Sequence, residues 1–251
     1  MNMKKRILMS ATVCLMTMFV IGQMSAQEIV QLFNGKDLLN WNFVVKDHKV
    51  PAEKVFTVKD GVIHVKGDPF GYMYTQKKYG NFHLQVEWRW PNGESNSGIF
   101  LMIDEPTNPF PNGIECQLHA GDAGDFVLLG GSDLFEFKTP AGEERPAFPV
   151  IKKKAESSEK KNGEWNKADI YCIDGVITVY INGVFQNKGT NKVKEGFIGL
   201  QSEGKDIQFR NVTLTPLIKQ KFVSVRSMEI PKGKTEHQKL NIKRQFRLLD
   251  E

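Results

Sequence analysis

The chain has 251 residues, and its 34 lysines and arginines exceed its 29 aspartates and glutamates by five. Lys4, Lys5 and Arg6 lie close together at the N-terminus, and without them the count is 31 against 29, a net charge of +2. Nucleic-acid binding needs a clustered basic face, so this even balance argues against a nucleic-acid partner. The sequence also lacks a CxxC pair and any Cys/His spacing typical of a metal site.

The N-terminus has the pattern of a secretory signal peptide. A basic start is followed by an apolar run from Ile7 to about Gly22, and Met24-Ser25-Ala26 supplies small residues before Gln27. The run is shorter than the roughly 20 apolar residues that a spanning helix needs. We therefore expect residues 1–26 to be removed, leaving an exported protein, periplasmic or extracellular, with no integral membrane segment.

The mature chain reads as a series of short strands separated by Gly, Asn and Asp. Phe56–Val58 and Val62–Val65 flank Asp60-Gly61 as a hairpin, and Asp174-Gly175 and Asn182-Gly183 are predicted to turn the chain in the same way. The further predicted strands are Asn81–Trp90, Gly98–Ile103, Ile114–His119, Phe126–Leu129, Trp165–Cys172, Val176–Tyr180, Val184–Phe185, Phe197–Gln201 and Ile207–Leu214. Ten or more strands without a crossover helix predict an all-β fold, a jelly-roll sandwich of two antiparallel sheets.

This sandwich is predicted to be one domain, covering residues 27–216. Within it, residues 138–164 carry three prolines and a lysine run, which predicts a long surface loop. Residues 217–251 form a charged C-terminal extension that could pack on the same domain. Cys116 and Cys172 could pair after export or be small buried residues, and we expect them to be unpaired.

The segment Gly113–His119 carries the most informative pattern. Side chains alternate between the two faces of a strand, so its apolar residues share one face and Glu115, Gln117 and His119 share the other. A carboxylate, an amide and an imidazole in one row could supply a base, a hydrogen-bonding group and a group that titrates near neutral pH. The same alternation also fits an ordinary outer face that meets water.

A second polar row lies on the Asn81–Trp90 strand and includes Glu87 and Arg89. If this strand neighbours the Glu115 strand in the same orientation, Glu87 and Arg89 would join the same group of side chains. Arg89 would then hold Glu87 ionised. On an outer face the same pair would be a surface salt bridge of little value.

Two loops next to these strands offer further polar groups. In Asn96-Ser97-Gly98 the glycine allows close approach of the backbone, and Asn96 and Ser97 are suited to sugar hydroxyls, although all three are also typical turn residues. After the Glu115 strand, Gly121–Asp125 is predicted to be a flexible acidic loop. Its Asp122 could reach a ligand or a cation, or could cap a turn.

At these residues the chain resembles the 3-keto-disaccharide hydrolase family, formerly the DUF1080 domain, which has a concanavalin A-like sandwich fold. The resemblance rests on motifs that follow one another in order across residues 32–216, nearly the whole mature domain. They are LFNGKDL at Leu32–Leu38 with Trp41, Y.NF.L..EWR at Tyr79–Arg89, NSGIF at Asn96–Phe100, G.E.Q at Gly113–Gln117, GEWN at Gly163–Asn166, NG at Asn182–Gly183, and GLQ.EG with FRN at Gly199–Gly204 and Phe209–Asn211.

The resemblance implies action on glycosides that are oxidised at C3 of a sugar ring. The 3-keto group acidifies the hydrogen on C2, so a base can remove it and the resulting enolate can expel the glycosidic oxygen from C1. Water then adds, or an unsaturated sugar leaves. Glu115 is the first candidate for the acid/base role, His119 is the second, and Glu87 is a possible partner.

The remaining candidates would bind the substrate or stabilise the enolate. The set consists of Arg89, Asn96, Ser97, Gln117, Asp122, Trp165, Gln201 and Glu203, with Arg210 as a weaker member. Trp165 could stack on the sugar or belong to the core, and Gln201 and Glu203 alternate onto one face at a strand end. A divalent cation could replace Arg89 as the electrophile, with Glu115, His119 and Asp122 as conceivable ligands.

Two other functions remain open from the sequence. A conventional glycosidase would use Glu115 and Glu87, which retaining chemistry would place about 5–5.5 Å apart. The second of these functions is that of a non-catalytic carbohydrate-binding module, because the fold serves binding proteins as well as enzymes.

Overall fold

The structure is a computed structural model that describes residues 28–217. The predicted signal peptide, residues 1–26, lies outside the described residues, as does all but the first residue of the predicted extension, 217–251. Within the described range there are fifteen strands, a 3₁₀ turn at Lys46–His48 and one short helix, α1 (Ala52–Val55). No helix in this range is long and apolar enough to cross a membrane.

The strands form two antiparallel sheets. The eight-stranded sheet has the order β13-β12-β11-β6-β15-β4-β3 with β1 paired to β15, and the seven-stranded sheet has the order β10-β9-β8-β7-β14-β5-β2. Their bounds are β1 Val30–Gln31, β2 Trp41–Val45, β3 Phe56–Lys59, β4 Val62–Val65, β5 Gly71–Thr75, β6 Phe82–Arg89, β7 Gly98–Ile103, β8 Gly113–Gln117, β9 Phe126–Leu129, β10 Val150–Ile151, β11 Asn166–Ile173, β12 Val176–Ile181, β13 Val184–Thr190, β14 Phe197–Ser202 and β15 Ile207–Pro216. The predicted two-sheet all-β sandwich is confirmed.

Alternation along the strands builds the core between the sheets. In β6 every second residue is buried, and in β8 Ile114 and Cys116 are fully buried on the face toward the eight-stranded sheet. Cys116 and Cys172, one from each sheet, are both buried and unpaired. The sequence therefore predicted correctly which residues of β6 and β8 face the core.

Tight turns join the hairpins where the sequence predicts them. Asp60-Gly61, Asp174-Gly175 and Asn182-Gly183 each have positive φ at both residues, the conformation that two-residue hairpin turns require. The prediction missed β1, β2 and β5, and it missed β10 within the expected loop 138–164. β5 is buried at four of its five positions, so it lacks the alternation that marks a strand in sequence.

The outward faces of the two sheets differ in character. On the seven-stranded sheet a second apolar cluster is formed by Val44, Tyr72, Phe100, Ile103, Val127 and Leu129. On the eight-stranded sheet the outward residues of β6 and β11 are polar or aromatic and half-buried, except the exposed Ile173 at the end of β11. Functional polar groups on the seven-stranded sheet therefore lie among apolar side chains, where their charges are poorly screened.

Because Leu84 and Leu39 differ in burial, replacing each by alanine should have very different effects on the free energy of unfolding. Leu84 on β6 is fully buried, whereas Leu39 in the loop before β2 is 83% exposed. We expect Leu84→Ala to lower the free energy of unfolding by about 2–5 kcal/mol, because it removes buried methyl groups and leaves a cavity. Leu39→Ala should change it by less than about 0.5 kcal/mol in the same urea titration. Equal effects would contradict this placement of the core.

Candidate active site

Glu115 lies near the middle of β8, on the outward face of the seven-stranded sheet. It is directly opposite Phe100 of β7 on one side and Val127 of β9 on the other. The residue is only 3% exposed, and its Oε1 atom is buried without a hydrogen-bond partner among the described residues. A carboxyl group that is buried between apolar side chains is costly to ionise.

Gly98 on the neighbouring strand makes room for this carboxyl. A Cβ atom at Gly98 would overlap Oε1 of Glu115 and would lie 2.7 Å from its Cγ and Cδ. The side chain of Glu115 therefore crosses the bare backbone of β7. Ile99 pairs with Leu200, so the next strand beyond Gly98 is β14, which carries Gln201. The group that approaches the backbone closely at Gly98 is thus the side chain of Glu115.

At the end of β14, Gln201 and Glu203 form the second part of the site. Nε2 of Gln201 donates to Oε2 of Glu203 at 2.7 Å, and the side chain of Asn96 also hydrogen bonds to Glu203. Gln201 is buried and Glu203 is half-buried. Oδ1 of Asn96 and Oε1 of Gln201 are buried and have no partner among the described residues. The structure thus brings Asn96, Gln201 and Glu203 together near Glu115.

Burial raises the pKa of both carboxyl groups, and a neighbouring charge adds to this rise at Glu115. Desolvation raises the pKa of Glu115 well above its ordinary value, and the nearby charge of Glu203 raises it further. Burial also raises the pKa of Glu203, although hydrogen bonds from Gln201 and Asn96 and the charge of His119 oppose that rise. Glu115 is therefore neutral at pH values where ordinary carboxyl groups are ionised, and perturbed groups of this kind are typical of active sites.

His119 lies just beyond β8 and is half-exposed. Its Nδ1 atom is 3.1 Å from Oδ2 of Asp122, which orients the ring. Oε1 of Gln117 accepts the backbone N–H groups of Leu118 and His119, each at 3.1 Å. Gln117 thus holds the chain at the end of the strand.

The loop Gly121–Asp125, predicted to be flexible, is held by several contacts. Oε2 of Glu159 accepts the backbone N–H of Gly121 at 2.8 Å, and Asp125 is buried in an ion pair with Lys152 at 2.8 Å. Nζ of Lys152 also lies 3.6 Å from Oδ1 of Asp122. Part of the predicted surface loop 138–164 therefore fixes the position of Asp122.

Ser97 is fully buried and has a structural contact. Its hydroxyl donates to the backbone carbonyl of Gln201 at 2.9 Å, which ties the start of β7 to β14. The Ser97 hydroxyl, which was predicted to contact a sugar hydroxyl, therefore donates its hydrogen bond within the protein instead.

Tyr72 is a site residue that the sequence did not reveal. It lies on β5 directly opposite Gln201, and its ring centroid is 5.3 Å from that of Phe100. Burial raises the pKa of Tyr72, so its hydroxyl stays protonated, and this hydroxyl has no partner among the described residues. Because β5 itself was missed, no sequence signal pointed to this donor.

The structure does not bring Glu87 and Arg89 to Glu115. Strand β6 pairs with β11 and β15 in the eight-stranded sheet and is not a neighbour of β8. The prediction that Glu87 and Arg89 lie beside Glu115 is therefore wrong. Glu87 instead accepts from Arg210 Nε at 2.7 Å and from Asn211 at 3.0 Å. These hydrogen bonds outweigh burial and lower the pKa of Glu87.

Trp165 belongs to the same outward face of the eight-stranded sheet. The guanidinium carbons of Arg89 and Arg210 lie 4.6 and 4.1 Å from its ring centroid. Arg89 also donates to Gln208 at 2.6 Å. The predicted roles of Arg89, Trp165 and Arg210 beside Glu115 therefore lack geometric support, because strand pairing places them on the other sheet.

The conceivable cation ligands are likewise not gathered into one group. Between residues 28 and 217, no cluster of three or more His, Cys, Asp or Glu side chains is placed to hold a metal ion. Glu115 is buried beside Gly98, whereas Asp122 is engaged by His119 and Lys152.

Two clefts lie away from Glu115. One, of about 560 Å³, is on the outward face of the eight-stranded sheet around Asp169. The other, of about 430 Å³, lies between α1, β3 and the loop before β2. Hydrogen bonds lower the pKa of Asp169, so it stays ionised and is poorly suited to donate a proton. The Glu115 group is therefore the better candidate for acid–base chemistry, although it lines neither of these two clefts.

Comparison with known proteins agrees with this fold. Residues 28–215 match the family of 3-keto-alpha-glucoside-1,2-lyase-like domains. A relative named 3-keto-disaccharide hydrolase, from Bacteroides thetaiotaomicron, is 25% identical, and the match covers 76% of this chain and 79% of the relative.

Solved structures show the same fold. A candidate glycosyl hydrolase from Parabacteroides distasonis superposes with a TM-score of 0.57 at 22% identity, covering 77% of this chain and 95% of that one. The β-glucanase of Bacillus licheniformis superposes with a TM-score of 0.51 at 10% identity, covering 78% of this chain and 100% of that one. At these identities the likeness concerns the fold alone.

The family match and the named relative identify the protein as a carbohydrate-active, glycosidase-like enzyme. The chain belongs to the family of 3-keto-alpha-glucoside-1,2-lyase-like domains, which its sequence matches over nearly the whole described range.

Gly98→Ala tests whether the position of Glu115 controls activity. The added methyl group would displace the Glu115 carboxyl, so we expect catalytic activity to fall by at least about 10²-fold, the scale of losing one acid–base group. Gly113→Ala on the same strand as Glu115 is the matched control, because its nearest contact is the carbonyl oxygen of Leu101 at 3.1 Å. It should lower the melting temperature while retaining activity. Equal activity losses in both variants would contradict the account.

The raised pKa of Glu115 predicts an unusual dependence of stability on pH. Above the ordinary carboxyl value of 4.5 the unfolded chain releases this proton while the folded protein retains it. Stability is therefore lost as pH rises, by about 1.4 kcal/mol per pH unit, until the pH passes the folded pKa. Glu115→Gln should remove this loss, so its advantage over the wild type should grow with pH above 4.5 in chemical denaturation.

The exposed Glu105 supplies the control for that experiment. Glu105→Gln should follow the wild-type curve at every pH. Parallel curves for Glu115→Gln and the wild type would show that Glu115 titrates normally in the folded protein.

Proposed function

We propose that the protein cleaves the glycosidic bond of 3-keto-glycosides by removing the C2 proton and eliminating the C1 oxygen. The observation that carries the proposal is the pairing of a buried, neutral Glu115 with a half-buried Glu203 in a member of this family. Two carboxyl groups in different environments can divide the acid and base roles at one pH.

Glu203 is the base in this proposal. Its raised pKa makes it a stronger proton acceptor than an ordinary glutamate, and Gln201 and Asn96 hold it in place. It takes the hydrogen from C2, and the electron pair moves into the enolate at C3. The charge of His119, oriented by Asp122, opposes the rise in the pKa of Glu203 and so favours its ionised form.

Glu115 is the acid. As the C1–O bond breaks, the Glu115 carboxyl donates its proton to the leaving oxygen, giving the free aglycone and a sugar with a C1–C2 double bond. Adding water, with hydroxyl to C1 and a proton to C2, completes net hydrolysis. The protonated hydroxyl of Tyr72 is the proposed donor to the enolate oxygen, because it lies on the same face and has no partner among the described residues.

The pattern of residues 1–26 supports a further part of the proposal, that the enzyme works after export, in the periplasm or outside the cell. Such an enzyme would meet glycosides before they enter the cytoplasm.

Deuterium incorporation separates the two proton transfers. The protein is incubated in D₂O with an aryl 3-keto-glucoside, and both aglycone release and deuterium at C2 are followed. The wild type should release the aglycone and leave deuterium at C2. Glu115→Gln should still exchange the C2 hydrogen but release aglycone about 10²–10⁴-fold more slowly, and Glu203→Gln should lose both reactions.

The same assay decides against the alternatives. A conventional glycosidase would cleave the unoxidised aryl glucoside and leave C2 undeuterated. A non-catalytic module would bind the sugar and release no aglycone. Either result would overturn the proposed function.

A further inference from the structure

The larger cleft lies on the outward face of the eight-stranded sheet, where no proposed catalytic residue is found. Its volume is about 560 Å³, within the roughly 300–1,000 Å³ typical of small-molecule sites. Strands β6, β11 and β12 supply its walls, with His83, Gln85, Asp169, Tyr171, Thr178, Tyr180 and Gly183 as lining residues. Glu115, by contrast, faces outward from the other sheet.

Aromatic rings with fixed orientations form the apolar part of this cleft. His83 and Tyr171 are directly opposite each other on β6 and β11, and their rings stack in parallel with centroids 4.1 Å apart. Tyr180 meets Tyr171 edge to face at 6.1 Å. His83 covers one face of the Tyr171 ring, and Tyr171 lines the cleft, so the C–H groups of a ligand there would meet the part of the ring that His83 leaves uncovered.

Asp169 forms the polar part, and its hydrogen bonds all converge on one oxygen. Oδ1 lies 2.9 Å from His83 Nε2, 2.7 Å from Gln85 Nε2 and 3.2 Å from Lys167 Nζ. Among residues 28–217, no hydrogen bond to Oδ2 of Asp169 is present. Burial opposes ionisation, but these contacts outweigh it and lower the pKa of Asp169. The result is a fixed, charged acceptor with one oxygen available to a ligand.

The charges and ring types of the cleft select a class of ligand. An anionic ligand would be repelled by Asp169, and a cation would compete with Lys167 for the same carboxylate. A neutral ligand with an apolar face and several hydroxyl donors satisfies both the Tyr171 ring and Asp169. A sugar ring has this combination, because its C–H groups form one face and its hydroxyls lie around the edge.

We propose that this cleft is a second carbohydrate-binding site, which holds a neutral sugar residue of a glycan without cleaving it. Tyr171 stacks on the sugar and Asp169 Oδ2 accepts from its hydroxyls. Binding here would keep the enzyme on a polymeric or branched glycan while the Glu115 site, on the other outward face, acts on its own substrate.

The test uses the full chain carrying Glu115→Gln, so that turnover does not interfere with binding. Cellohexaose, maltohexaose and laminarihexaose are titrated separately at millimolar concentration, and binding is followed by saturation-transfer NMR and calorimetry. At least one hexasaccharide should bind. Asp169→Asn should weaken that binding by about tenfold or more, the scale of one hydrogen bond to a charged group.

A second variant guards against a folding defect in Asp169→Asn. Thr178→Tyr places a bulky ring in the cleft without removing any hydrogen bond to Asp169, and tyrosine is well tolerated on an outward strand face. It should abolish the same binding. Asp206→Asn is the matched control, because Asp206 is an exposed carboxylate that accepts one amide hydrogen bond from Asn92 at 3.1 Å; binding should be unchanged.

The readouts also separate this proposal from the proposed function. When Glu115 is intact, the Thr178→Tyr variant should cleave a small aryl 3-keto-glucoside at the same rate as the wild type. The binding assay and the cleavage assay can therefore fail independently of each other. Failure of all three hexasaccharides to bind would overturn the second site. So would binding that survives both Asp169→Asn and Thr178→Tyr.

Discussion

The carboxyl group of Glu115 lies over the bare backbone of Gly98, and the properties of the candidate active site depend on this contact. Because Gly98 has no side chain, the Glu115 side chain can cross β7 toward Gln201 and Glu203. The same contact buries the carboxyl among apolar neighbours, which keeps it protonated. The cost is stability at neutral pH, a trade that functional sites commonly make.

The two outward faces of the sandwich use carboxyl groups in opposite ways. Glu115 has no hydrogen-bond partner at Oε1 among the described residues, and its pKa is raised. Asp169 receives three donors at one oxygen, and its pKa is lowered. A neutral carboxyl can give a proton, whereas one whose pKa is lowered stays ionised more readily and can accept hydrogen bonds from a ligand. The difference follows from the number of donors each group meets, since both lie on outward strand faces.

Where a strand alternates in sequence, the alternation predicts which face a residue occupies, and it predicted correctly that Glu115 and Glu87 both point away from the core. It could not show that the two residues lie on different sheets, because strand pairing depends on contacts far apart in the chain. Glu203 was predicted only as one of the residues that bind the substrate or stabilise the enolate, yet it is the carboxylate whose charge reaches Glu115. Tyr72 was missed because β5 is buried on both faces and has no alternation.

A direct titration of Glu115 is the measurement that tests this account most closely. Glutamate side chains are labelled with ¹³C at the carboxyl carbon, and the Glu115 signal is assigned by its loss in Glu115→Gln. The account predicts that Glu115 titrates well above the ordinary value of 4.5, and that Glu203→Gln moves its pKa downward. A Glu115 signal that titrates near 4.5 and does not respond to Glu203→Gln would contradict it.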